Sequence, residues 1–368
     1  MVQRIRLMAA AFFLGIAGGG AGALEFSGLL DSKVSFTGSP GGEAPFAYEW
    51  EEYANIRMRA AVGDNADFYG AVNLIAAAGS SAAYAALPGS AFIAGENYAA
   101  AIEPERLYFR LRGQALDADV GLMRLGFGYG QAFSPSDFLN PRSPLFPDAR
   151  PRAALGAALA AYPQDSLKLQ TFTVTPRNPL AAGGSGFIAG FSADRHGDFA
   201  SVQLLYAYES PGDSAPKGIH RGGLSLKADL ELGFAADLLY TWDPAEGPGI
   251  AGLAADAGLD YSFLDGDFYV LAEYLYSGPA SSTAQSSQNT AGLSTRHNLL
   301  GTVSYHVNDY TRLQLTCLFA PRELSAAPVL TLEHDISQGV TLTLSAQAFT
   351  ERKTLNSVSS SAKVRLRF

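Results

Sequence analysis

From Leu24 onward, apolar and polar residues alternate with a period of two, broken by turn residues roughly every ten to twenty positions. Leu224, Leu226, Ala228 and Leu230 alternate with Ser225, Lys227, Asp229 and Glu231. Val340, Leu342, Leu344 and Ala346 alternate with Thr341, Thr343, Ser345 and Gln347. Successive side chains of a strand point to opposite faces, so each run carries one apolar and one polar row. The breaks are of two kinds, and the kinds alternate. Short ones fall at 63–67, 113–117, 163–166, 196–198, 231–233, 264–267, 307–309 and 337–339; longer ones fall at 38–45, 79–98, 126–152, 176–184, 209–220, 243–250, 278–294, 320–324 and 350–356. A soluble sandwich has no reason to sort its connections this way, whereas a membrane-crossing barrel has short turns at one rim and long loops at the other. The pattern predicts an all-β fold, a transmembrane antiparallel β-barrel of 18 strands with both ends at the short-turn rim. Sixteen strands is the alternative, because 153–162 (AALGAALAAY) also suits a helix packed within a loop.

The stretch 125–151, LGFGYGQAFSPSDFLNPRSPLFPDARP, interrupts this pattern. It is too apolar for an exposed loop and too rich in Gly and Pro for a strand. A connection this long inside a compact structure is usually functional, and its large apolar side chains need a surface to cover. It falls in the third long loop, where Phe127, Tyr129, Phe133, Phe138, Leu139, Leu145 and Phe146 are expected to cover the inner wall of the barrel. Ser134, Pro135 and Asp137 form a helix-start signature, and Asn140-Pro141 ends the helix about one turn later.

Composition narrows the function. The 368 residues carry 26 basic and 35 acidic side chains, a formal charge of −9, which argues against nucleic acid as a partner. A single cysteine excludes a disulfide framework and a cysteine metal cluster; Cys317 alternates with Leu313, Leu315 and Phe319 and reads as an inert apolar residue. The five histidines have no ligand spacing, and no Gly-x-Ser-x-Gly elbow is present. Gly126-Phe-Gly128-Tyr-Gly130 ends a strand with no long helix after it, unlike a phosphate cradle. No enzymatic activity, cofactor or metal is expected. Arg4 and Arg6, an apolar core at 7–16 and the small residues Ala21-Gly22-Ala23 read as an export signal over 1–23, leaving 24–368 as the barrel. Beyond it no segment approaches the roughly 18 apolar residues of a membrane helix. Aromatic pairs at strand ends, Tyr206 with Tyr208, Tyr240 with Trp242 and Tyr274 with Tyr276, suit interfacial girdles.

The chain thus resembles the porin-type outer-membrane barrels of bacteria: an export signal, alternating strands throughout, and a last strand, SSSAKVRLRF, ending on Phe368. The stretch GQAFSPSDFLNPRSP at 130–144 also resembles a Gly, Asn-or-Ser-Pro-x-Asp, Asn-Pro segment that recurs in several poorly characterised outer-membrane barrel families. The resemblance implies a bacterial outer-membrane location, contact with its lipid, recognition of Phe368 by the barrel-assembly machinery, and a third loop folded into the lumen as a lid. Leu366 stands where a second aromatic is common. A lid of this kind sets acidic residues opposite a basic wall. Here it would comprise Phe133, Ser134, Asp137, Phe138, Asn140, Arg142 and Asp148, with Asp137 and Asp148 as the acids.

The basic candidates follow from the alternation. Arg57 and Arg59 stand between Ile56, Met58 and Ala60, Arg106, Arg110 and Arg112 around Leu107, Phe109 and Leu111, and Lys363, Arg365 and Arg367 between Val364, Leu366 and Phe368. An arginine on the lipid face costs about 2 to 4 kcal/mol at the midplane, so these rows are expected to point inward. In a closed barrel the last strand lies beside the first, which puts the rows on one side of the lumen. Two uses stay open: a transverse field favouring anions, or pairing with carboxylates such as Glu51 and Glu105. The sequence predicts a channel for passive diffusion of small hydrophilic solutes, leaning toward anions. The alternatives are a non-conducting barrel acting as adhesin, scaffold or sheath of an envelope complex, and a transporter of hydrophobic compounds. A homo-oligomer is left open.

Overall fold

The computed structural model describes residues 21–40, 46–80, 91–140, 144–145, 153–175, 186–211, 218–242, 249–278, 296–352 and 354–368. The expected export signal lies outside them, apart from its last three residues. The strands are β1 (Ala21–Gly38), β2 (Phe46–Val62), β3 (Ala66–Gly79), β4 (Ala91–Ala94), β5 (Tyr98–Arg112), β6 (Leu116–Met123), β7 (Ala154–Gln164), β8 (Leu167–Val174), β9 (Ile188–His196) and β10 (Ala200–Glu209). They continue with β11 (Ile219–Asp229), β12 (Gly233–Trp242), β13 (Leu253–Phe263), β14 (Phe268–Ser277), β15 (His297–Asn308), β16 (Thr311–Ala320), β17 (Ser325–Ser337), β18 (Val340–Glu351) and β19 (Thr354–Arg367).

All but β4 build one closed antiparallel barrel of 18 strands, each paired with its neighbours in sequence. β4 is a short addition to β5 within the second long loop. β1 closes the ring on β19 in a register that sets Leu29 opposite Arg367 and Gly38 opposite Val358. Closure leaves no unpaired sheet edge, which a chain surrounded by hydrocarbon requires. The 153–162 stretch is strand, as β7, so the count of 18 stands over 16.

The alternation resolves into two faces. Leu204, Leu224, Leu238, Leu259, Leu299 and Leu344 are exposed on the outside, while Gln203, Ser225, Asp237, Asp256 and Thr343 are buried on the inside. An apolar exterior around a polar interior is the arrangement a bilayer demands.

Two features depart from the sequence expectation. The connection expected at 350–356 shrinks to 352–353, because Thr350 and Glu351 still pair with Leu355 and Thr354. These polar residues extend the strands instead of leaving them. The connection between β16 and β17, expected at 320–324, is 321–324. Finally, Ser134-Pro135 starts no helix. Asp137 N–H donates to Ser134 O at 3.0 Å and Asn140 N–H to Asp137 O at 3.0 Å, giving two consecutive turns. The Ser134 hydroxyl does not cap; it bonds Phe127 O and Asp237.

Candidate functional site

Strand register aligns five inner side chains in one row. Asp194 of β9 faces Gln203 of β10, Gln203 faces Ser225 of β11, Ser225 faces Asp237 of β12, and Asp237 faces Asp256 of β13. Glu273 of β14 sits beside the end of this row, opposite Gly258. All six are buried. A buried carboxylate must be paired or hydrogen-bonded, and the segment after β6 supplies donors to Asp237 and Glu273, as well as to Gln203.

Seven successive backbone N–H groups of that segment end on side chains. Phe127 donates to Asp137 Oδ1 (3.3 Å) and Gly128 to Gln203 Oε1 (2.7 Å). Tyr129 and Gly130 donate to Asp237 (2.9 and 3.2 Å). Gln131, Ala132 and Phe133 donate to Glu273 (3.2, 2.7 and 3.2 Å). Hydrogen bonds to ionised acceptors contribute roughly 1.5 to 3 kcal/mol each, so this is the strongest polar attachment of the segment. Ser134 Oγ adds a 2.7 Å bond to Asp237, and Gln131 bridges Asp260 and Tyr269.

The glycines make this approach possible. Gly128 has φ +82°, and a Cβ there would lie 2.3 Å from Asp237 Oδ2 and 2.4 Å from Ser134 Oγ. At Gly130 a Cβ would lie 1.7 Å from Phe133 O. The Gly-x-Gly-x-Gly run therefore lets the backbone N–H groups of Gly128, Tyr129 and Gly130 reach Gln203 and Asp237 of the wall.

Apolar contacts hold the segment at both ends. Leu125 and Phe127 pack with Tyr108, Met123, Phe172 and Val174, and Phe138 and Leu139 border this cluster. Phe133 and Leu145 pack with Leu271, Leu275, Leu300 and Leu318, on strands farther round the ring. Arg221, ion-paired with Glu209 at 2.8 Å, lies 4.9 Å over the Phe138 ring. Asn140 Nδ2 donates to Leu125 O, closing the segment on its own base. Asp137 is 3% exposed, so its charge is held inside the segment. The Tyr129 hydroxyl is buried without a hydrogen-bond partner among the described residues, and burial, with Asp194 and Asp237 nearby, pushes it up to about 12. Arg142, Phe146 and Asp148 lie outside the described residues.

The arginine rows occupy neighbouring strands, β19, β2 and β5, around β1 and β3. Their charges are largely matched. Arg365 forms two 2.7 Å bonds to Asp31 and Arg110 two 2.8 Å bonds to Asp119. Arg59 and Arg112 share Asp67 (3.3 and 2.8 Å). Buried Glu105 takes Arg124 (2.6 Å), Arg106 (3.3 Å) and the Asn55 amide. Arg57 differs: it is exposed, bonds the Asn55 amide oxygen and has no carboxylate partner among the described residues. Arg124, Arg221 and the acidic row were not expected from sequence. Only strand register gathers the row.

No family model and no curated protein matches the sequence. Solved structures do match, over nearly the full chain. OccAB4 of Acinetobacter baumannii is 10% identical, covering 95% of this chain and 99% of its own, with a TM-score of 0.61. The fold is that of the outer-membrane porins. Pseudomonas aeruginosa OpdQ (11% identity, 94% and 97% coverage, TM-score 0.60) shares this porin architecture. So does P. aeruginosa OpdK, in a structure with vanillate (10%, 94% and 98%, TM-score 0.60).

Proposed function

We propose that this protein is a bacterial outer-membrane channel for passive diffusion of small hydrophilic solutes, with 125–145 as the constriction inside the lumen. The observation that carries this reading is the run of seven N–H groups, six of them ending on inward side chains of β10, β12 and β14. A segment tied to one wall by polar bonds and to other strands by apolar contacts narrows a barrel wide enough to hold water. The likeness to porins supports the class of function and no particular solute. Vanillate, the small aromatic carboxylate present in the OpdK structure, is the first solute to try. The anion preference rests on Arg57, which has no carboxylate partner among the described residues, more than on the paired arginines.

Planar-bilayer recording of the refolded protein under a salt gradient tests the proposal. A steady ohmic current with partial anion selectivity supports it; silence from a demonstrably folded barrel overturns it. Silence would favour the non-conducting scaffold or adhesin, which the attachment of the segment to well-separated strands also suits. The same reading includes export through cleavage before Leu24, checked by N-terminal sequencing. It also includes Phe368 as the signal for the barrel-assembly machinery, checked by deleting Phe368 and measuring heat-modifiable protein in the membrane.

A further inference from the structure

Two hairpins repeat one construction on the outer wall. The outward row of β10 ends in Tyr206 and Tyr208, and the residue facing Tyr208 is His220 of β11. The outward row of β14 ends in Tyr274 and Tyr276, and the residue facing Tyr276 is His297 of β15. In both, the first tyrosine reaches diagonally to the ring: Tyr206 Oη lies 2.8 Å from His220 Nδ1, and Tyr274 Oη 2.7 Å from His297 Nδ1. Generic girdle packing requires aromatics at this height but not the same hydrogen bond twice.

The β10–β12 copy is the more elaborate. Around His220, the Tyr208 ring lies at 4.9 Å and the Trp242 ring at 5.3 Å, and Phe191 packs on Tyr206 at 5.8 Å. Below these rings the same outward rows continue into exposed Leu204, Leu224 and Leu238. Among the described residues, the outward rows of β9 to β12 carry no carboxylate; Glu209 faces inward onto Arg221. The place therefore combines hydrogen-bond donors, aromatic sides, an apolar floor and no negative charge.

We propose that His220, Tyr208 and Trp242 form a site for the phosphate of a membrane-lipid headgroup at the long-loop rim. In the tautomer this site requires, the Tyr206 hydroxyl donates to Nδ1 of His220, so that the ring proton sits on Nε2 and that nitrogen is the donor. The indole N–H of Trp242 and the Tyr208 hydroxyl are the other donors at hand. The leucine rows below receive the acyl chains, which a free phosphate lacks. This inference rests on the barrel lying in a bilayer and is independent of conduction.

Native mass spectrometry of the detergent-purified protein tests it, with phosphatidic acid and diacylglycerol of identical chains as probes. The wild type is expected to retain phosphatidic acid and not diacylglycerol. His220→Phe is expected to weaken retention about tenfold, the effect of losing one hydrogen bond to a charged group. Tyr206→Phe, which only releases the imidazole, gives part of that loss. Excess inorganic phosphate leaves the bound lipid in place. Equal retention of the two lipids, wild-type retention by His220→Phe, or displacement by inorganic phosphate would each overturn the proposal. Heat-modifiability confirms that each variant is folded, and single-channel current on the same samples reports separately on the channel.

Discussion

Asp237 of β12 and Ser134 of the third long loop, 103 positions apart, are joined by a 2.7 Å hydrogen bond. The same carboxylate takes the N–H groups of Tyr129 and Gly130, so one side chain fixes the turn of the segment. Replacing it with Asn turns one acceptor oxygen into a donor facing N–H groups. Asp237→Asn is expected to loosen the segment by about 1 to 3 kcal/mol. Single-channel records should show a larger, noisier conductance; an unchanged trace removes Asp237 from the constriction.

Gly128→Ala should act in the same direction for a steric reason. Its Cβ would fall within 2.3 Å of Asp237 Oδ2 at a φ of +82° that side chains rarely adopt. Expected are the same noisy conductance and increased proteolysis within 125–145. Gly126→Ala, whose Cβ meets only Asp137 Oδ2 at 3.9 Å, is the control that should behave as wild type.

Charge selectivity should depend unequally on the arginines. Arg57→Gln removes a charge with no carboxylate partner among the described residues, whereas Arg110→Gln also frees Asp119. Reversal potentials in a salt gradient should move toward cation preference in both, and Arg110→Gln should in addition lower the temperature of heat modification. Asp137→Asn, by contrast, alters an acid that is 3% exposed, and should affect conductance noise more than reversal potential.

Tyr129 makes the docked segment sensitive to alkali. Its hydroxyl is raised from 10.0 to about 12 in the folded protein, chiefly by burial. A raised acid favours the neutral form, so its contribution is complete below pH 10 and is lost as pH climbs toward about 12. Wild-type conductance noise should grow across that window and that of Tyr129→Phe should not. Because the hydroxyl has no hydrogen-bond partner among the described residues, the same substitution should leave stability at neutral pH unchanged or slightly higher.

The strands were legible because alternation is local: each residue declares its face beside its own neighbours. Even β7, with its run of alanines, obeys the same rule once paired with β6 and β8. The arginine rows could be singled out by the penalty hydrocarbon would impose, but their carboxylate partners Asp31, Asp67 and Asp119 could not. The docking row was not legible. Gln203, Asp237 and Glu273 bond the loop across 75 to 142 positions, and only the register of the intervening strands brings them to one height. The signature at Ser134 misled for a related reason. A hydroxyl that can cap a helix can equally bond a carboxylate of a distant strand, and Asp237 won.

The connections 321–324 and 352–353 join their strands in four and two residues, while those at 175–187, 210–218 and 278–296 take 13, 9 and 19. A ligand that grips chain outside the barrel therefore finds least to hold between β16 and β19. A peptide inserted at 321–324 would add chain where the strands are most tightly joined, which makes it the place to display an epitope.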